Sequence, residues 1–250
     1  MIPVSAKRHW LAALLAMSVS SVLHAQPGEQ TFDFENRPRT LATFVPDSSS
    51  SPQGPPLLVL LHGSMGNGAA MIAMWRAEAE RSGIVLVAPD ALDQRAWQLQ
   101  SDGPKFIRAV LGVMQMRHAI DASRVYLFGY SGGAVYALTL SMIESQSFAA
   151  TAVYAGAWRE SDEYRAVALA VRKIPLAIHI GDRDVYFPLS AAKRTQRALR
   201  GSGHSIDLHV LHGRDHDYAA VAPTVNRQIV EFFLRHRLEA SVGTAPDPRG

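Results

Sequence analysis

The sequence predicts an α/β sandwich built on a largely parallel sheet, and two observations carry that prediction. Short apolar runs of strand length recur along the chain, and helix-like stretches separate them. Such alternation stacks helices against the faces of one sheet. Residues 31–46 read as an early strand or hairpin, and the Ser/Pro/Gly-rich residues 47–56 as a loop. Residues 57–62 form a continuous apolar run that stops at Gly63, as suits a strand covered on both faces. Runs at 84–88, 124–128, 151–155 and 176–180 repeat the pattern, and 206–211 adds a last strand. Between them, 69–81, 106–117, 134–143 and 189–199 read as helices, and 219–237 closes the chain as another.

Composition narrows the classes of function. A 250-residue chain that is 48% hydrophobic can bury a full core without metals or disulfides. It contains no cysteine, which removes thiol nucleophiles, zinc–cysteine sites and iron–sulfur clusters from consideration. The formal net charge of +3 is spread along the chain, so no basic stripe points to a nucleic-acid partner. Lys7, Arg8 and His9 precede an apolar run over 10–23, followed by Leu23-His24-Ala25. That order is expected of a cleavable signal peptide over 1–25. The run is short against the roughly 20 residues of a bilayer span. We therefore expect export to the periplasm or beyond, no membrane span after cleavage, one domain over 26–238, and a frayed tail over 239–250.

In parallel sheets ligands gather at the carboxyl ends of the strands, so the residues just past each run matter most. After 57–61 stand His62-Gly63-Ser64-Met65-Gly66-Asn67, and after 125–128 stand Gly129-Tyr130-Ser131-Gly132-Gly133. After 176–180 stand Gly181-Asp182-Arg183-Asp184, and after 206–211 stand Gly213-Arg214-Asp215-His216-Asp217. A serine, an acid and a histidine thus follow three different strands.

Gly129-x-Ser131-x-Gly133 matches a nucleophile elbow, in which a sharp strand-to-helix turn lifts the serine hydroxyl clear of the sheet. A hydroxyl needs a base to take its proton, and histidine suits that work. Of ten histidines, His216 is the preferred base, because it lies in a loop past the last strand. His62 reads as a loop buttress, His118 and His236 as helix-surface residues, and His179 and His209 as strand residues. His204 and His212 flank a strand without an evident partner. The cluster His212, Asp215, His216 and Asp217 has a second reading as a metal site, which is disfavoured because adjacent loop residues seldom converge on one ion. Asp184 is the preferred acid and Asp182 the alternative; the acid holds the imidazole tautomer and stabilises the imidazolium. Oxyanion donors are expected from the Gly132 amide and from the Ser64 amide, with Met65 the rival for the second.

These four strand-end motifs, together with Ile120-Asp121-Ala122-Ser123-Arg124-Val125-Tyr126 and the stretch from Val225-Asn226 to Phe232-Phe233, resemble the α/β-hydrolase superfamily. Within it, the chain is similar to secreted esterases grouped with polyhydroxybutyrate depolymerases and feruloyl or acetylxylan esterases, over roughly residues 44–238. The resemblance implies an α/β-hydrolase fold and a Ser131–Asp184–His216 triad. It also implies hydrolysis of carboxylic esters, small or oligomeric, without a cofactor. Two positions depart from that group, which often has cysteine after the His-Gly pair and asparagine or alanine after the nucleophile. Here Ser64 and Gly132 stand instead.

Specificity is less marked. Tyr130 lies beside the nucleophile, and Trp97 and Trp158 follow strands whose ends face the expected site, so all three are candidate substrate contacts. Each tryptophan reads equally well as loop packing, while Trp75 reads as core. Two other functions fit the same fold: an amide or peptide hydrolase, and a non-catalytic envelope binding protein. Oligomeric state is not legible.

Overall fold

In the computed structural model, residues 28–49 and 52–239 are described. The expected signal peptide, and all but the first residue of the expected tail, lie outside them. Eight strands form one sheet: β1 Gly28–Phe34, β2 Arg37–Phe44, β3 Leu57–Leu61, β4 Val85–Pro89, β5 Val125–Tyr130, β6 Ala150–Tyr154, β7 Leu176–Gly181 and β8 Ile206–Leu211. Their spatial order is β1-β2-β4-β3-β5-β6-β7-β8. From β4 to β8 every pairing is parallel, and β1 and β2 join antiparallel at one edge. The first apolar segment is thus a hairpin. Its turn residues Glu35 and Asn36 both have positive φ, 50° and 60°, as a two-residue turn matched to strand twist requires.

All five residues of β3 are buried, and so are all five of β4 and β6, which explains their unbroken apolar runs. Alternate side chains serve two cores. Leu57, Val59 and Leu61 face α3 (Pro104–Arg117), α4 (Gly132–Ile143) and α5 (Leu189–Gly201) through residues such as Phe106, Leu140 and Ala191. Leu58 and Leu60 face α1 (Gly68–Ser82) and α6 (Ala222–Phe233) through Ile72, Trp75, Ile229 and Phe233. Each such buried aliphatic or aromatic side chain contributes about 1.5–3 kcal/mol relative to exposure.

Some bounds differ from the sequence expectation. The closing helix starts at Ala222, not at 219, because Pro223 fits a first turn but not a helix interior. A single short turn, α2 (Leu99–Asp102), and a 3-10 helix over Glu163–Leu169 had no periodic signal long enough to read. Among the described residues no helix is long and apolar enough to cross a membrane.

Candidate active site

Ser131 occupies the turn between β5 and α4 with φ 55° and ψ −118°, a strained backbone for a residue bearing a Cβ. Its amide donates to the Tyr154 carbonyl at 3.0 Å, which ties the turn to β6. The flanking glycines are required by close approach. A Cβ on Gly129 would lie 2.2 Å from the Gly133 carbonyl oxygen, and one on Gly133 would lie 2.4 Å from that of Leu61. The Gly-x-Ser-x-Gly spacing is therefore a packing necessity of this turn.

His216 stands in the loop after β8. Its Nε2 is 2.9 Å from the Ser131 hydroxyl oxygen, and its Nδ1 is 2.8 Å from Asp184 Oδ2. The Asp184 carboxylate is fully buried, and the His216 side chain is 18% exposed. Asp184 Oδ1 also accepts from the Tyr186 and Phe187 amides, each at 2.9 Å, so both carboxylate oxygens are held. Such an alignment lets an imidazole take a hydroxyl proton while a carboxylate stabilises the resulting charge. Tyr130 supports the loop by donating its hydroxyl to the His216 carbonyl at 3.1 Å. Burial, reinforced by the Asp217 and Asp184 carboxylates, raises the Tyr130 phenol above its usual range. Burial, with Asp184 nearby, pushes that of Tyr154 up to about 12. Both phenols therefore stay protonated donors at neutral pH.

Asp182 lies elsewhere. It is paired with His212 Nδ1 at 3.0 Å and accepts from the Gly213 amide at 2.7 Å, two bonds that hold its carboxyl below the usual range. His212, which the sequence leaves without an evident partner, is thus paired with the alternative acid. The pairing links the ends of β7 and β8.

Opposite Ser131, the loop after β3 turns at Ser64 and Met65, closed by the Gly66 amide on the Gly63 carbonyl at 2.9 Å. The Met65 amide is committed to the Gln94 carbonyl at 2.7 Å. The Ser64 and Gly132 amides donate to no backbone carbonyl among the described residues. A Cβ on Gly132 would sit 3.5 Å from the Ser64 nitrogen, so the two amides border the same space. His62 buttresses this loop: Nδ1 bonds the Gly63 carbonyl at 2.8 Å, and Nε2 accepts the Ala91 amide at 3.1 Å.

A cavity of about 700 Å³ opens over Ser131 and His216. On one side it is walled by the loop after β4, which brings in Trp97 and Leu99. Trp97 donates its indole N–H to the His62 carbonyl at 2.9 Å and stacks on Tyr136. That loop is anchored by a buried ion pair, Arg39–Asp102 at 2.6 Å. The Asp102 carboxylate also accepts the Leu92 and Gln98 amides, each at 3.0 Å. On the other side of β5, the loops after β6 and β7 supply Arg159, Glu163, Tyr186 and Phe187. Among the described residues no group of three or more His, Asp or Glu side chains is arranged to hold a metal ion.

A family model described as Phospholipase/Carboxylesterase matches residues 105–222, the span that holds Ser131, Asp184 and His216. A poly(3-hydroxybutyrate) depolymerase of Ralstonia pickettii is 29% identical over 182 residues, 59% of this chain and 37% of that protein. The chain thus spans little more than a third of the length of that curated relative. A solved poly(3-hydroxybutyrate) depolymerase from Bordetella parapertussis superposes with a TM-score of 0.66 at 22% identity, covering 87% of this chain and 92% of that one. A ferulic acid esterase from Anaeromyces mucronatus gives 0.66 at 16% identity, covering 83% and 90%. The chain has the α/β-hydrolase fold.

In this α/β-hydrolase fold, Tyr130 and Trp97 line the cavity, as does Ser64. Trp158 does not, and its candidacy as a substrate contact is corrected. It is 0% exposed, its indole N–H donates to Thr139 at 3.2 Å, and its ring packs edge-on against Tyr164. The strand end after β6 does face the site, but the chain turns the indole inward behind Thr139. Arg159, Glu163, Tyr136, Tyr186 and Phe187 are lining residues that the sequence reading missed. For Tyr186 and Phe187 a signal existed. An aspartate accepting the amides two and three residues ahead is a turn habit of that side chain, and it places those residues beside the acid.

Proposed function

We propose that this α/β hydrolase is an exported serine carboxylic-ester hydrolase acting through an acyl-enzyme. The observation that carries the reading is the continuous line from Ser131 through His216 to the buried Asp184, facing the Ser64 and Gly132 amides. In the proposed reaction Ser131 Oγ attacks the ester carbonyl carbon while its proton passes to His216 Nε2. The carbonyl oxygen becomes an oxyanion, stabilised by the Gly132 and Ser64 amides, each such donor typically contributing about 10²–10³ in turnover. Collapse expels the alcohol, which takes the proton from His216. Water, deprotonated by the same imidazole, then releases the acid and restores Ser131.

The favoured substrates are short-chain, hydroxyalkanoate or feruloyl and acetyl esters. The relatives' names support the hydroxyalkanoate and feruloyl members of that range, and a cavity open at its mouth between two sets of loops suits all of them. The basic-then-apolar pattern over 1–25 supports export.

The test is covalent labelling of the folded protein by a fluorophosphonate, read by intact mass, beside hydrolysis of a short-chain nitrophenyl ester. We expect one adduct, and Ser131→Ala should lose both adduct and turnover. Folded wild-type protein that takes no label and turns over no ester would refute the proposal.

A further inference from the structure

We propose that Arg159 makes this site selective for esters that carry a free carboxylate, an inference that rests on the ester-hydrolase reading above. Arg159 is the only arginine or lysine among the described residues that line the cavity. Its position is set by two contacts. Nη1 donates to the Tyr186 carbonyl at 3.2 Å, and the guanidinium lies over the Phe187 ring, 4.7 Å from its centroid. Phe187 in turn is stacked near His216, with centroids 6.0 Å apart. The cation is therefore separated from the reacting imidazole by a single aromatic ring, within reach of the far end of a small substrate.

Its guanidinium has no direct carboxylate partner among the described residues. Glu163 is the acidic residue nearest in the lining. Glu163 Oε2 instead accepts the backbone amides of Arg159 and Glu160 at 2.6 and 2.8 Å. The carboxylate thereby braces the backbone that presents the arginine. An exposed guanidinium in the cavity lining with one donor engaged keeps others for a planar anion, with carboxylate the natural match. Asp184 and the developing oxyanion disfavour a second negative charge on the substrate, and an opposing cation offsets that repulsion. The substrate class this selects is the half-ester of a dicarboxylic acid or the ester of a hydroxy acid whose own acid end is free. A short hydroxyalkanoate oligomer belongs to the second kind.

The experiment compares matched pairs that differ only in charge. Monomethyl adipate against its ω-carboxamide carries the charge on the acyl side. 3-Acetoxybutyrate against its carboxamide carries it on the alcohol side. We expect wild-type kcat/KM to favour the acid in at least one pair by about tenfold, expressed mainly in KM. Raising the ionic strength should shrink the preference. Arg159→Gln should bring the ratio close to one, and Arg159→Lys should restore part of it. The pair that shows the preference identifies the side on which the charge sits. Turnover of the carboxamides with no acid preference, or a preference that Arg159→Gln leaves intact, overturns the assignment of Arg159 while leaving ester hydrolysis standing. Failure to turn over any member, with Ser131 unlabelled by the fluorophosphonate, overturns both.

Discussion

Ser64 and Gly132 face one another across the candidate oxyanion site: a methyl group on Gly132 would lie 2.8 Å from the Ser64 hydroxyl oxygen. These are the two positions at which the sequence departs from the residues usual in the esterases it resembles. The departures adjoin in space: as the Ser64 hydroxyl is placed, it must rotate away before position 132 can carry a side chain.

That adjacency is testable by a double-variant cycle. Gly132→Ala should lower kcat about tenfold, since the new methyl crowds the Ser64 hydroxyl and the space beside the Ser64 amide that borders the reacting carbonyl. Adding Ser64→Ala removes the clashing hydroxyl and should recover most of the loss. Steady-state kinetics of the four proteins measures the interaction; strictly multiplicative effects would contradict it.

The two aspartates after β7 should behave differently. Asp184→Asn leaves the shape but breaks the carboxylate's hold on His216 Nδ1, and should reduce kcat by about 10⁴. Asp182→Asn disturbs only the exposed pairing with His212 and Gly213, and should leave kcat/KM within about threefold. A nitrophenyl ester assay decides between them.

Trp158 should answer to stability and not to substrate. Trp158→Phe deletes the indole bond to Thr139 and opens a small void in a fully buried position. We expect a loss of about 1–3 kcal/mol in urea unfolding, with KM for short esters changed by less than about twofold.

His179 sets a limit in acid. It is buried on β7, neither ring nitrogen has a partner, and the His209 ring stacks on it at 4.4 Å. Burial, with His209 alongside, lowers its pKa from 6.5 to about 3. The unfolded chain binds a proton below about 6.5 and the folded chain resists until about 3. Stability is therefore complete above 6.5 and falls as pH drops through that window. His179→Leu removes the linkage, so its acid-unfolding midpoint should move down by about half a pH unit or more, with no loss of stability at pH 8. An unchanged midpoint would mean the imidazole is solvated in the native state.

The sheet was legible because β3, β4 and β6 are buried on both faces and so could not be written in polar residues. The elbow was legible because the contacts at Gly129 and Gly133 admit only glycine. What escaped was set by tertiary contact. Glu35-Asn36 turns a hairpin without the glycine that usually marks one, and α2 is a single turn held by Asp102. The inward rotation of Trp158 depends on Thr139, Tyr164 and Thr195, which are distant in sequence or carry no pattern. Arg159 and Glu163 were passed over because their pairing with backbone leaves no periodic or charge-run signature.

The ion pair between Arg39 and Asp102 gives the cleft one fixed jaw. The wall bearing Trp97 and Leu99 hangs from charges sealed in the protein, so a substitution there is paid for in folding. The other jaw holds its backbone through Glu163 and Asp184 but exposes its side chains, and Tyr186 is 63% open to solvent. Change in substrate range is thereby channelled to the loops after β6 and β7, where side chains can be exchanged without loosening the machinery beneath.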